Sequence, residues 1–224
     1  MLAFLHTAHA HVATFERLAS EIDDSVHIRH RVDEQLLAES VKAGRITDPI
    51  RAGIASAIRG LANDGATLIV CTCSTIAGEA EAASVSNCSV LRVDRPMAEE
   101  AVASGRRIIV IAALRSTLAP TMALLRQVAA NTKRSPVFVE VLNEAAWPLF
   151  EAGEHAAYAA ELARSIETAT CPGDLVLLAQ ASMEPAREFV RHLGVPVLSS
   201  PRSGVVAAMS RYRAIVGAQN LSFE

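Results

Sequence analysis

Strand-length apolar runs alternate along the chain with longer stretches whose apolar positions recur at helical spacing. Runs at 2–6, 26–29, 66–71, 89–93, 107–112, 137–141, 174–179 and 195–198 read as buried strands. Helical patterns lie at 12–22, 34–43, 49–63, 77–84, 97–104, 118–131, 144–168, 185–193 and 204–217. Strands that alternate with helices imply βα units and mainly parallel sheets. Asp48 before Pro49 reads as a helix N-cap, and Gly105 as the stop of the helix before it.

The pattern repeats. Val32-Asp33-Glu34 returns as Leu142-Asn143-Glu144, an offset of 110, and Val70-Cys71-Thr72-Cys73-Ser74-Thr75 returns as Leu178-Ala179-Gln180-Ala181-Ser182-Met183, an offset of 108. The expected architecture is therefore α/β, with two pseudosymmetric doubly wound parallel-sheet lobes and the site between them. The first lobe is expected over 1–105 plus part of the C-terminal helix 204–217, and the second over 106–203. On this alignment Cys73 and Ala181 face one another across the cleft.

Composition narrows the function. Of 224 residues, 51% are hydrophobic and 20% charged, which suits helices covering a buried sheet. A net charge of −3 and only nine Phe, Tyr and Trp residues argue against a nucleic-acid surface. The first apolar run is interrupted by His6 and has no basic residue before it, so it reads as a strand and not as a signal peptide. No run is long enough for a membrane span. Cys71, Cys73, Cys88 and Cys171 lack disulfide or CxxC spacing, and a reduced, cytoplasmic protein is expected.

Chemistry concentrates where the run Thr67–Cys71 ends in Thr72-Cys73-Ser74-Thr75. A parallel strand delivers such groups to a ligand site at the start of the next helix, whose free N–H groups favour a thiolate. Cys73 is the expected nucleophile or base; the alternative is a buried structural thiol, the role expected of Cys71. Ser74, Thr75 and Ser182 are expected to bond a carboxylate or an enolate, or to cap their helices. Thr7 and Thr117, after the first strand of each half, are further binding candidates. Asp33 either assists the thiol or caps the following helix. The histidines His6, His9, His11, His27 and His30 form no metal-binding motif, so no metal is expected, although His6 ends a strand and can face a cleft. Arg202-Ser203-Gly204 holds an anion or is a capping turn.

The thiol turn, the segment His30-Arg31-Val32-Asp33-Glu34-Gln35-Leu36-Leu37 and the duplication together resemble the aspartate/glutamate racemase superfamily. That superfamily includes hydantoin racemases, maleate isomerases and arylmalonate decarboxylases. The resemblance implies cofactor-free chemistry beside a carboxylate, with two cysteines flanking the α-carbon. Cys73 falls on the first. The second is expected in the Gln180–Met183 turn, where Ala181 stands in its place and Ser182 and Met183 would hold the carboxylate. A single-thiol enzyme acting on a small organic or amino acid follows, racemase-like in kind. Isomerisation or decarboxylation of a small dicarboxylate is the alternative, as is a non-catalytic small-acid-binding protein. Ala-rich helices leave a homo-oligomer open.

Overall fold

A computed structural model describes residues 1–221, with side chains through residue 218. It divides into two compact units, Met1–Val93 together with the chain from Pro201 onward, and Asp94–Ser200. Among the described residues, no helix is long and apolar enough to cross a membrane.

The first unit is built on strands β1 (Leu2–His6), β2 (Ile28–Val32), β3 (Leu68–Cys71) and β4 (Ser89–Arg92), all parallel in the order β2-β1-β3-β4. Alternation along the strands splits the buried side chains between two faces. Ala3, Leu5, Ile69 and Cys71 pack with apolar residues of α2 (Glu34–Ala43), α3 (Asp48–Asn63) and α4 (Ser74–Ala82). Phe4 faces the other way, its ring 5.5 Å from Phe15 of α1 (Ala10–Ile22).

The second unit contains α5 (Arg95–Ser104), β5 (Arg107–Ala112), α6 (Arg115–Thr132), β6 (Val137–Leu142), α7 (Trp147–Glu151), α8 (His155–Ala169), β7 (Leu175–Leu178), α9 (Ala186–Phe189) and β8 (Val197–Leu198). Its parallel sheet runs β6-β5-β7-β8, the same topology as the first. One face packs on α5 and α6 through Met97, Val102, Leu118 and Leu125; the other packs on α8 through Tyr158, Leu162 and Ile166. Because α5 joins this core, the boundary between units falls after Val93 and not after residue 105.

Several boundaries differ from expectation, for local reasons. The second strand begins at Ile28, where pairing with Leu2 starts, so 26–29 was placed too early. Helix α3 begins at Asp48 itself; Thr47 precedes it, Pro49 sits in the first turn, and the Asp48 carboxylate accepts from Arg51 at 2.5 Å. The long pattern at 144–168 is two helices, with Pro148 opening α7 and Gly153, at φ +76°, in the turn before α8. The 185–193 pattern reduces to α9 and a 3₁₀ turn at Arg191–Leu193.

The last helix, α10 (Ser200–Leu221), buries Val205, Ala208 and Met209 and belongs almost entirely to the first unit. Arg202 pairs with Glu21 and Arg213 with Asp23, so Arg202 is engaged on the surface of α1 and opens no anion site. Gly204 makes the closest approach: a Cβ there would lie 2.3 Å from Val93 Cγ2 and 2.5 Å from the Val93 carbonyl oxygen. Backbone cannot yield as a flexible side chain can. Gly204→Ala is expected to destabilise the protein by about 1–3 kcal/mol, seen as a lower urea midpoint, whereas Gly217→Ala, with open space around it, should not.

Candidate active site

In the first unit β1 and β3 end side by side. The Thr72 N–H donates to the Leu5 carbonyl at 3.0 Å, which carries the ladder one residue beyond the strand and leaves Cys73 as the residue before α4. Cys73 has extended backbone (φ −104°, ψ 109°), so its side chain sits at the amino end of the helix and packs beside the Cys71 face. The groups that favour its thiolate are the Thr7 and Thr75 hydroxyls and the N–H groups of Thr75 and Ile76. Burial outweighs them and pushes the thiol above its usual value. The helix start therefore does not leave a resting thiolate, contrary to the expectation from sequence.

The neighbouring groups are nearly all buried. Thr7, Thr75 and Ser74 are each at most 5% exposed, and the Ser74 hydroxyl has no hydrogen-bond partner. The Cys71 thiol donates to the Cys73 carbonyl at 3.7 Å, a packing role. Asp33 precedes α2, but its side chain makes no cap bond; its N–H donates to the His6 carbonyl at 2.9 Å. Capping by the Asp33 carboxylate is thus absent.

On the opposite face lies a feature the sequence reading missed. The Nδ1 atom of His6 is 2.8 Å from Thr72 Oγ1, its Nε2 is 2.8 Å from His30 Nδ1, and His30 Nε2 is 2.6 Å from Glu16 Oε2. Phe4 stacks on both imidazoles and Phe15 tilts against His6. Burial, and next the proximity of His30, lower the His6 pKa to about 3; burial lowers that of His11 to about 4. The signal in the sequence was slight: one histidine, His6, ends the first strand-like run, and another, His30, directly follows the second. Among the described residues no group of three His, Cys, Asp or Glu is arranged to hold a metal ion.

The second unit repeats the thiol turn with other chemistry. Ladder β1–β3 runs from Leu2↔Leu68 to Leu5↔Cys71, and β5–β7 from Ile108↔Leu175 to Ile111↔Leu178. Matched on these ladders, Thr72 corresponds to Ala179, whose N–H likewise donates to the first strand of its unit, at Ile111 of β5. Cys73 then corresponds to Gln180, and both precede a helical turn in extended conformation. The position equivalent to Cys73 is therefore Gln180 and not Ala181, which matches Ser74. The Gln180 Oε1 accepts from the Ala113 N–H at 2.7 Å. A gapless offset of 107, placing Gln-Ala-Ser over Cys-Ser-Thr, was the overlooked clue.

The remaining candidates divide. The Ser182 hydroxyl is 3.0 Å from the buried Tyr158 hydroxyl, whose pKa burial raises. Thr117 is buried in the first turn of α6, where the Ser116 hydroxyl has no partner. Met183 is a core side chain, fully buried, with its N–H donated to Gln180; its expected contact with a ligand is withdrawn. Asn143, matched to Asp33, donates to Glu161 and Ser165 of α8 and caps no helix.

A profile of the Asp/Glu/Hydantoin racemase family matches residues 7–208. The chain belongs to that family. It is accordingly an enzyme of the racemase/isomerase kind. No curated protein matches the sequence. Among solved structures, the Picrophilus torridus aspartate racemase is similar with a TM-score of 0.71 at 15% identity, covering 94% of this chain and 93% of its own. The glutamate racemase of Francisella tularensis subsp. tularensis SCHU S4, solved with D-glutamate, gives 0.68 at 14% over 97% and 81%. The allantoin racemase of Klebsiella pneumoniae gives 0.63 at 16% over 95% and 87%. At such identities the agreement is one of fold, and the reaction must be argued from this chain's own residues.

Proposed function

We propose that this family member is a cofactor-independent, single-thiol enzyme acting beside the carboxylate of a small organic or amino acid, with Cys73 as its acid–base or nucleophilic group. The observation that carries this is Cys73 at the start of α4, bonded by Thr7 and Thr75, with Gln180 at the equivalent place in the second unit. The amino end of a helix stabilises an anion, and the unpaired Ser74 hydroxyl offers a further donor to a carboxylate oxygen. Thr7 and Thr75 supply other hydroxyls, and Asp33, the residue after β2, is the proposed acidic assistant.

An amide neither gives nor takes a proton near neutral pH, so Gln180 cannot act as a second thiol. Burial keeps Cys73 protonated, which suits delivery of a proton to carbon. In a decarboxylation the C–C bond to the departing CO₂ breaks and an enediolate remains. Cys73 Sγ–H then protonates the carbon, and water reprotonates the thiolate. Isomerase or decarboxylase chemistry on a small dicarboxylate therefore fits one thiol better than racemisation.

The test is a panel of small mono- and dicarboxylates and amino acids incubated in D₂O and followed by ¹H NMR. Deuterium should enter the carbon beside the carboxylate, in one enantiomer only, and not in Cys73→Ala. Binding without exchange or turnover would make this a small-acid-binding protein; no binding at all would sink the proposal.

A further inference from the structure

We infer that Glu16, His30, His6 and Thr72 form a relay that takes up one proton as a unit and thereby re-aims the Thr72 hydroxyl at the root of the Cys73 turn. The hydrogen-bond directions follow from counting donors. An ionised Glu16 only accepts, so His30 Nε2 must carry a hydrogen. With His30 neutral, its Nδ1 accepts from His6 Nε2–H, and His6 Nδ1 accepts from the Thr72 hydroxyl. One added proton makes both His30 nitrogens donors. His6 Nε2 must then accept, its hydrogen moves to Nδ1, and Nδ1–H donates to Thr72 Oγ1. The Thr72 hydroxyl turns to the Leu5 carbonyl, already 3.2 Å away. Both states satisfy every group, and they differ by one proton.

The surroundings confine the event to this relay. From β1, His6 faces His30; from α1, Glu16 does, and the flanking rings of Phe4 and Phe15 do not ionise. His9 and His11, at the start of α1, act on His6. Arg29 pairs with Asp64, and the Arg31 guanidinium lies against Gly60 of α3, on the other side of β2. Arg202 and Arg213 of α10 are paired with Glu21 and Asp23, beyond Glu16 on α1. Burial holds His6 neutral, so the added proton resides on His30 beside Glu16.

Two rungs join the ends of β1 and β3, His6 with Thr72 and Thr7 with Cys73, on opposite faces of the sheet. Consecutive residues make them, so the charge and the donor direction of the first act on the second across a single residue of backbone. His6 is thus a positioning residue for the thiol, acting through Thr72.

Histidine-ring ¹⁵N NMR across a pH titration tests this directly. His30 should become doubly protonated while His6 stays neutral and passes from the Nε2–H to the Nδ1–H tautomer, with one shared midpoint. Alkylation of Cys73, followed by mass spectrometry, should show an inflection at that same pH. Glu16→Gln, a change at an exposed site, should move the His6 tautomer change and the alkylation inflection together. A His6 tautomer that stays fixed while His30 titrates would overturn the relay. An alkylation profile lacking that inflection would overturn its link to the thiol. Neither readout depends on which substrate the enzyme uses.

Discussion

Cys73→Ala is expected to lower kcat, on whichever small carboxylate the panel shows to be turned over, by ~10²–10⁴-fold, the range for loss of a positioned acid–base group. The carboxylate should still bind, because the proposed donors, the start of α4 and the Ser74, Thr75 and Thr7 hydroxyls, are kept. KM should accordingly change much less than kcat. Cys73→Ser should fall in the same range, since a hydroxyl is a far weaker acid than a thiol near neutral pH. The thiol rests protonated, so wild-type alkylation should be slow at neutral pH and should quicken on the alkaline side. Undiminished turnover by Cys73→Ala would remove the thiol from the mechanism.

Acid should weaken the fold strongly through His6. The folded protein keeps His6 neutral down to about pH 3, against 6.5 for an imidazole in the unfolded chain. Between those values the unfolded state binds the extra proton, so stability rises with pH and is lost as acid is added. From pH 7 to pH 4 the loss through this one residue amounts to about 3 kcal/mol. His11, lowered to about 4, acts in the same direction. Urea unfolding at a series of pH values measures the slope. His6→Gln should be less stable than wild type at pH 7, because Thr72 and His30 lose their partner, yet its stability should fall less on acidification. Equal slopes for the two proteins would contradict this account.

Much of the architecture could be read from alternation alone. The bounds of β1, β5 and α2 agree with the sequence reading; His6-Thr7 closes the first run and Gly44-Arg45 the helical pattern, while β5 opens at the polar pair Arg106-Arg107. The equivalence of Asp33 with Asn143 also held, since both donate an N–H to the end of the first strand of their unit. The register of the second turn was lost because the two halves differ in their connections. Equivalent residues are 106 apart at Leu5 and Ile111, 110 at Asp33 and Asn143, and 107 at Cys73 and Gln180. No single offset carries through such a chain. The ladder sets the match, and it replaces a small apolar residue, Ala181, with a polar amide as the counterpart of the thiol. The histidine relay was out of reach for another reason. Its members come from β1, β2, α1 and the turn after β3, and nothing local in the sequence pairs them.

The return of α10 to the first unit bears on how the protein is made. Residues Asp94–Ser200 are contiguous and carry their own complete sheet, so this half can fold as soon as it leaves the ribosome. The unit that holds Cys73 starts earlier but must wait, because Val205, Ala208 and Met209 are synthesised only after the whole of Asp94–Ser200. Until they arrive, the apolar surface they will cover stays open to water and to other nascent chains. Of the two units, the one begun first is therefore the one finished last.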